Sequence, residues 1–515
     1  MDNLATAWGH LRAGRSAEAE RLGRQVVQAE PDNAGAWYVL GLASLGLNRL
    51  DDALNALRSA ERLAPDSPEI ANGLGITLGE LKRLDEAADC FRTAARLRPD
   101  QPEPCVFLGN TLRALGRFDE ALDAYETAIR LGPDHAEAHN GRGFALDELG
   151  RYEEAVASYD RALRLAPGHV EAHTNRGISL GKLGRYEEAI ASHEQALRID
   201  PDFPDAHRNR ALARLTLGDY ARGWPEYEWR WKCRDSVLPP HPRPLWRGEP
   251  LEGRTILLHA EQGLGDTIQF VRFAALVQER GGRVVVECQP PLVPLLRTCP
   301  GIRQVVPKGD PLPEFDVHAS LMSLPALLGT TLETVPAMVP YLSADPALVA
   351  RWRERLESLD GLLIGIVWQG NPKYQADRMR SYPLSLFEGL ARVEGARLVS
   401  LQKGPGTEQI RELGGRFPVV DFGDELDRGD AAFLDTSAVM KGLDLVITPN
   451  TATAHLAGAL GVPFWLPLPF GSDWRWLLGQ ERSPWYPSAR LFHQPEPGRW
   501  GPVFERMAAC LAEAR

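Results

Sequence analysis

Six prolines, Pro31, Pro65, Pro99, Pro133, Pro167 and Pro201, stand at an unbroken spacing of 34 residues. A fixed period of this length marks a stacked repeat, in which each unit buries its apolar face on its neighbours instead of in a core of its own. Two further ladders keep the register. Gly41, Gly75, Gly109, Gly143 and Gly177 follow the first five prolines by ten residues, and Ala53, Ala87, Ala121, Ala155 and Ala189 follow them by twenty-two. Each unit holds two amphipathic stretches, such as Ala136 to Leu149 and Glu153 to Leu165, joined by a short turn and closed by the proline. Small residues let paired helices approach closely, and the proline ends the second helix, so each unit is a helix-turn-helix.

The period and the pattern Trp37, Leu40, Gly41, Ala53, Pro65 resemble the tetratricopeptide repeat. That resemblance implies an α-solenoid with a concave groove. Five units from Ala34 to Pro201 carry the clear pattern, and residues 3–31 read as a weaker first repeat with Ala19 and Pro31. After Pro201 the pattern decays through Ala211 and Gly223 into Trp224, Tyr227, Trp229 and Trp231. That aromatic run reads as a capping repeat ending the solenoid at residue 231, with an aromatic ligand box as the competing reading.

At 515 residues the chain is too long for one core. The 58 Lys plus Arg against 69 Asp plus Glu leave a net charge of −11, so no global positive field exists to hold nucleic acid or an anionic membrane. The N-terminus lacks a signal-peptide pattern, and no run of about 18 apolar residues provides a membrane span, so a cytoplasmic location is expected. The 6 cysteines are dispersed without C-x-x-C or zinc-finger spacing, which points to a reducing compartment and no cysteine-built metal site.

Residues 232–253 are proline-rich and read as a linker. Beyond it, short apolar strands alternate with helical stretches: Thr255–His259, Val284–Glu287 and Asp316–Leu321, then Leu362–Trp368, Leu398–Leu401, Val419–Phe422, Leu443–Thr448 and Phe464–Leu468. Alternation of this kind implies parallel sheets. The expected architecture is therefore an α-solenoid followed by an α/β region of two Rossmann-like lobes, residues 254–345 and 346–515. Two facing lobes are how nucleotide-sugar transferases of the GT-B fold are built.

The first strand runs into Gly263, Leu264, Gly265 and Asp266, followed by an expected helix over Ile268–Glu279. Ile268 replaces the third glycine of a dinucleotide fingerprint, and no Gly-Lys-Ser/Thr follows, so neither an NAD site nor a Walker loop fits. The two glycines allow backbone to pass close to a ligand. Asp266 is either a catalytic carboxylate facing the cleft or a helix N-cap. In the second lobe the strand ending at Thr448 leads into Asn450, Thr451, Ala452, Thr453 and His455. The threonines can cap a helix whose free amides form a diphosphate site. His455 either reaches a phosphate or sugar hydroxyl, or is a satisfied buried histidine. After Trp368 come Asn371, Lys373, Arg378 and Arg380, cations able to neutralise a leaving diphosphate, or else a solvated loop. Gln402 and Lys403 stand where a nucleotide would meet them.

Gly263-Leu264-Gly265-Asp266, together with Asn450-Thr451-Ala452-Thr453-Ala454-His455-Leu456-Ala457-Gly458-Ala459-Leu460-Gly461, resembles the ADP-heptose lipopolysaccharide heptosyltransferase family across residues 254–468. The resemblance implies an inverting, metal-independent enzyme with Asp266 as base and Lys373 on phosphate. No metal and no cofactor are then expected, the nucleotide-diphosphate sugar being a co-substrate. The family has Asp-Thr-Gly where this chain has Asn450-Thr451-Ala452. The order of repeats then transferase is similar to the protein O-linked N-acetylglucosamine transferases, which implies a protein or peptide acceptor gripped by concave-face asparagines. Here Asn175 and Asn209 match that position, while Val39, Gly73, Phe107 and Gly141 interrupt it. Two other readings stay open: a repeat scaffold with an inactive transferase region, and a transferase acting on a surface polysaccharide or lipid.

Overall fold

The computed structural model of the chain describes residues 3–235, 237–374, 377–429, 431–471 and 473–513. It is a helical solenoid followed by an α/β region of parallel sheets, divided into two compact units: Met1–Leu180 with Arg198–Pro201, and Gly181–Leu197 with Asp202–Arg515.

In the first unit the helices pair as the proline period requires, for example Ala136–Glu148 with Tyr152–Leu165. The glycine ladder is steric. A Cβ added at Gly75, Gly109 or Gly143 would lie 2.6, 2.7 and 2.7 Å from the rings of Phe91, Tyr125 and Tyr159, the aromatic residue of the following helix. The turn inside each repeat carries a further ladder. Gly14, Gly116 and Gly150 there have φ of 71°, 74° and 80°, and Asn48 and Lys82 adopt the same left-handed conformation at 58° and 61°. Glycine enters that region without the steric cost a Cβ brings.

The second unit begins within the repeats. Helix Tyr186–Ile199 up to Leu197, and helices Pro204–Thr216 and Tyr220–Tyr227, belong to it, together with the sheets. The solenoid therefore does not end as a separate domain at residue 231. The aromatic run explains why: Trp224 is 1% exposed and packs edge-on against Phe270, Trp474 and Trp485, while Tyr220 Oη accepts a 2.9 Å hydrogen bond from Trp485 Nε1. Trp224 and Tyr227 are thus core, whereas Trp229, stacked on His207, and Trp231 are half-buried.

The first sheet contains β1 (Thr255–His259), β2 (Arg283–Cys288), β3 (Ile302–Pro307) and β4 (Val317–Ser320), all parallel, in the order β3-β2-β1-β4. The second contains β5 (Leu362–Ile366), β6 (Ala396–Ser400), β7 (Val419–Val420), β8 (Leu445–Ile447), β9 (Phe464–Leu468) and β10 (Ala489–His493), in the order β10-β9-β8-β5-β6-β7 and again parallel. Edge strands β3 and β10 escape the sequence reading. Each carries exposed or half-exposed positions, so neither reads as a continuous apolar run. The expected single helix over Ile268–Glu279 is two, Leu264–Phe270 and Phe273–Glu279. Arg272 sits at the break and is buried, donating to the carbonyls of Gln269, Pro336 and Trp485 and to Tyr341 Oη. The linker too is shorter than expected. Trp246 N–H donates to the His318 carbonyl at 2.8 Å, and the Trp246 ring and Leu251 are buried, so the chain joins the first sheet from Leu245 onward.

One apolar core runs through the last repeat helices, the first sheet and one face of the second. Trp224 occupies its aromatic centre. Trp224→Ala is expected to cost about 3–5 kcal/mol, the usual loss for an aromatic removed from a core, in the urea unfolding of the α/β unit. A cost below about 1 kcal/mol would show that the aromatic run is peripheral.

Candidate functional site

In each sheet the strand order reverses beside the first strand: between β1 and β4, and between β5 and β8. Loops leaving the carboxyl ends of such a pair diverge to opposite faces and open a crevice, the usual ligand position in open α/β sheets. The glycine loop follows β1, and the Asn371–Arg380 and Asn450–Thr453 segments follow β5 and β8. The sequence-derived candidates around both loops are thus brought to switch points.

At the first sheet, Asp266 lies in the first turn of helix Leu264–Phe270. One carboxylate oxygen accepts from Gly263 N–H at 3.0 Å, and the other accepts from the guanidinium of Arg475. The N-cap is therefore Gly263 and not Asp266, which is the third helical residue and reaches back to the cap N–H, while its charge is paired across to the loop after β9. Arg475 was not singled out from the sequence, where it lies in a tryptophan-rich stretch that reads as packing. Its side chain is 11% exposed. It donates two 3.0 Å bonds to Asp473 and one of 3.1 Å to Gln269 Oε1, and its guanidinium lies 4.1 Å from the centre of the Trp474 ring. Burial alone would weaken its charge, but Asp473 and Asp266 hold its pKa above the ordinary arginine value. Asp473 also accepts from the Asn450 side-chain amide at 3.1 Å. The chain Asn450, Asp473, Arg475, Asp266 is thus one hydrogen-bonded line from the loop after β8 to the loop after β1.

The glycines divide in role. A Cβ at Gly265 would fall 2.9 Å from His455 Cδ2 and 3.2 Å from Ala452 Cα, so the glycine loop rests directly on the start of helix Ala452–Ala459. The close approach that Gly265 permits is to protein. At Gly263 a Cβ would meet only the Asp266 carboxylate, at 3.4 Å.

Thr451 stands at the N-cap of helix Ala452–Ala459 without a side-chain capping bond; its hydroxyl lies 3.5 Å from that of Thr448. Thr453 is buried in the first turn. His455 is buried, its Nδ1 2.9 Å from Tyr486 Oη and its ring stacked on Trp476. Burial, reinforced by Arg475, Arg272 and Arg380, holds its pKa well below the ordinary histidine value. Of its two ring nitrogens, Nδ1 is thus engaged within the protein.

After β5, Arg380 donates to Asp377 at 3.0 Å and to the Asn450 carbonyl at 2.7 Å, tying the two loops of the second switch point together. Gly370 leaves room for that pair, since a Cβ there would lie 2.1 Å from Asp377 Oδ1. Asn371 Oδ1 accepts from Lys373 N–H at 3.0 Å, and the side chains of Lys373 and Arg378 are exposed. Gln402 is committed within the protein: its oxygen accepts from Trp368 and Gln369 N–H, and its amide donates to the Gln369 and Pro405 carbonyls. Lys403 Nζ donates to the Leu426 carbonyl at 2.6 Å. In the repeats, Asn175 belongs to the first unit and donates to Asn140 at 3.4 Å, whereas Asn209 belongs to the second.

Residues 4–68, 40–102 and 108–170 match a tetratricopeptide repeat family model, residues 158–191 a second and residues 179–218 a third. The chain carries tetratricopeptide repeats. Protein FlbA of Caulobacter vibrioides is 32% identical over 322 residues, 57% of this chain and 52% of FlbA, so the chain spans about half the length of that curated relative. Similar solved structures include YrrB, described as a TPR protein with an unusual peptide-binding site, at 23% identity, 36% of this chain, 95% of YrrB and a TM-score of 0.32. A MamA structure is 30% identical over 32% of this chain and 91% of its own, with a TM-score of 0.30.

The Asn450 amide facing Asp473 has a direct consequence. Asn450→Asp sets a second carboxylate against Asp473, raising a carboxyl pKa in the folded state. The penalty, of the order of 1–3 kcal/mol, is absent at low pH where one group is protonated and full above the carboxylate range. The melting temperature of the variant should therefore fall below wild type at pH 8 and converge on it toward pH 4. A difference independent of pH would contradict the contact.

Proposed function

We propose that this chain is an inverting, metal-independent glycosyltransferase of GT-B architecture, moving a sugar from a nucleotide diphosphate donor to a hydroxyl, with a protein or peptide held by the repeats as acceptor and the cytoplasm as its location. The observation that carries this reading is the convergence at the second switch point. There Arg380 holds the Asn450 carbonyl just ahead of helix Ala452–Ala459, with Lys373 and Arg378 exposed nearby in sequence and the Asp266 loop resting on the same helix terminus. Free amides and cations gathered at a strand carboxyl edge suit a diphosphate. Among the described residues no helix is long and apolar enough to cross a membrane.

In this mechanism the acceptor oxygen attacks the anomeric carbon, the bond from that carbon to the β-phosphate oxygen breaks, and its electron pair leaves with the diphosphate. Asp266 takes the acceptor proton. Lys373, Arg378, Arg380 and the amides at Ala452 and Thr453 neutralise the departing charge. Asn450, Gln402, Lys403 and His455 act as positioning residues: each already has a protein partner that fixes a loop or the helix carrying the phosphate-binding groups. Arg475 orients the Asp266 carboxylate and must yield part of its hold when the proton arrives.

A scaffold reading has one observation in its favour: Asp266 is engaged at both oxygens by protein donors. Calorimetry with UDP- and ADP-sugars separates the two. The transferase reading expects saturable binding of one of them, weakened about tenfold in Arg378→Ala; no binding of either favours the scaffold. With the donor found, Asp266→Asn should lower turnover by about 10²–10⁴ while circular dichroism shows a folded chain. Turnover close to wild type would remove Asp266 from the chemistry.

A further inference from the structure

Three histidines take no part in the site above. His259 closes β1, His318 lies in β4, and His241 belongs to the proline segment that precedes the first sheet. In the β1–β4 register Leu257 faces His318, and His259 stands two residues beyond Leu257, so both imidazoles leave the sheet on one face. The proline segment is tied alongside: His318 N–H donates to the Pro244 carbonyl at 3.1 Å, and Trp246 N–H donates to the His318 carbonyl at 2.8 Å. That tether brings the His241 ring to 4.7 Å from His318 and 5.1 Å from His259, centre to centre.

One nitrogen from each ring lies within 4.8 Å of the other two, the one such grouping of three metal-ligating side chains among the described residues. His259 Nε2 and His318 Nδ1 are 3.3 Å apart, the separation of two ligands on a tetrahedral ion with bonds of about 2.0–2.1 Å. His259 is fully buried, and its Nδ1 has no hydrogen-bond partner; His241 Nε2 is likewise buried without one. Buried polar atoms in a folded protein nearly always have a partner, and a cation on His259 Nε2 and His318 Nδ1 would supply the one that His241 Nε2 lacks. The donor set is all imidazole. That excludes hard cations such as magnesium and calcium, which take oxygen, and suits zinc and its neighbours.

We propose that His241, His259 and His318 hold one nitrogen-preferring divalent cation of the zinc class, which pins the proline segment to the first sheet. The sequence conceals this site because its ligands are 18 and 59 residues apart and follow none of the usual ligand spacings. The proposal is independent of the transferase reading and makes the cation a structural clamp on the first sheet.

The test uses the full chain after treatment with a chelator. Titration with Zn²⁺ should give one equivalent bound per chain, with affinity at least tenfold lower in His241→Asn, a change at a partly exposed position. Co²⁺ loading should give d–d absorption without a thiolate charge-transfer band, which sets the histidines apart from the chain's cysteines. In the wild-type chain Zn²⁺ should also slow proteolytic cleavage between Val237 and Leu245, a readout that stands if His241→Asn does not fold. Absence of saturable Zn²⁺ binding, equal binding by folded His241→Asn, a thiolate band, or cleavage unaffected by Zn²⁺ would overturn the proposal.

Discussion

The Arg475 guanidinium is the contact on which the α/β unit depends most. It is nearly enclosed, and a buried arginine without counter-charges carries a desolvation cost of several kcal/mol. Asp473 meets it from its own loop and Asp266 from the other sheet, so its solvation is completed only when the loop after β1 reaches the loop after β9. Gly265 makes that reach possible by omitting a side chain where the loop lies against Ala452 and His455. Charge and sterics therefore select the same arrangement, in which the catalytic candidate of one sheet adjoins the helix terminus of the other.

A second buried arginine works in parallel. Arg272 interrupts what would have been one long helix and spends its donors on carbonyls and a tyrosine from separate segments, including Trp485 beyond β9. Trp485 in turn donates to Tyr220 of the last repeat helix and packs against Trp224. The final repeats thus share the core of the sheets. This accounts for the boundary between compact units falling near residue 181, well before the repeat pattern decays.

The repeats were legible because their constraint is local and periodic: a proline stops a helix and a glycine admits a neighbouring ring wherever they occur. Parallel sheets were legible from apolar runs, but β3 and β10 were hidden by their exposed edge positions. The loops that carry the candidate site were found by their glycines and threonines. What those side chains do was harder to read, since Gln402, Lys403 and His455 depend on partners distant in the chain. Asn450 is the clearest case. As sequence it is a departure from a family pattern; beside Asp473 it is the residue that avoids two facing carboxylates. Arg475 was concealed among the tryptophans that bury it, and the three histidines of the first sheet meet only through strand register and a tether of the proline segment.

The central claim is that Asp266 and Arg475 join the two sheets energetically, holding the glycine loop on the helix terminus. A double-mutant cycle in urea unfolding, with Asp266→Asn, Arg475→Met and the double variant, isolates that coupling from the separate effects of each change. The account predicts a coupling energy of about 1.5–3 kcal/mol, as expected for a largely buried ion pair. A coupling within about 0.5 kcal/mol of zero would mean that the two side chains act independently and that the line from Asn450 to Asp266 does not organise the site.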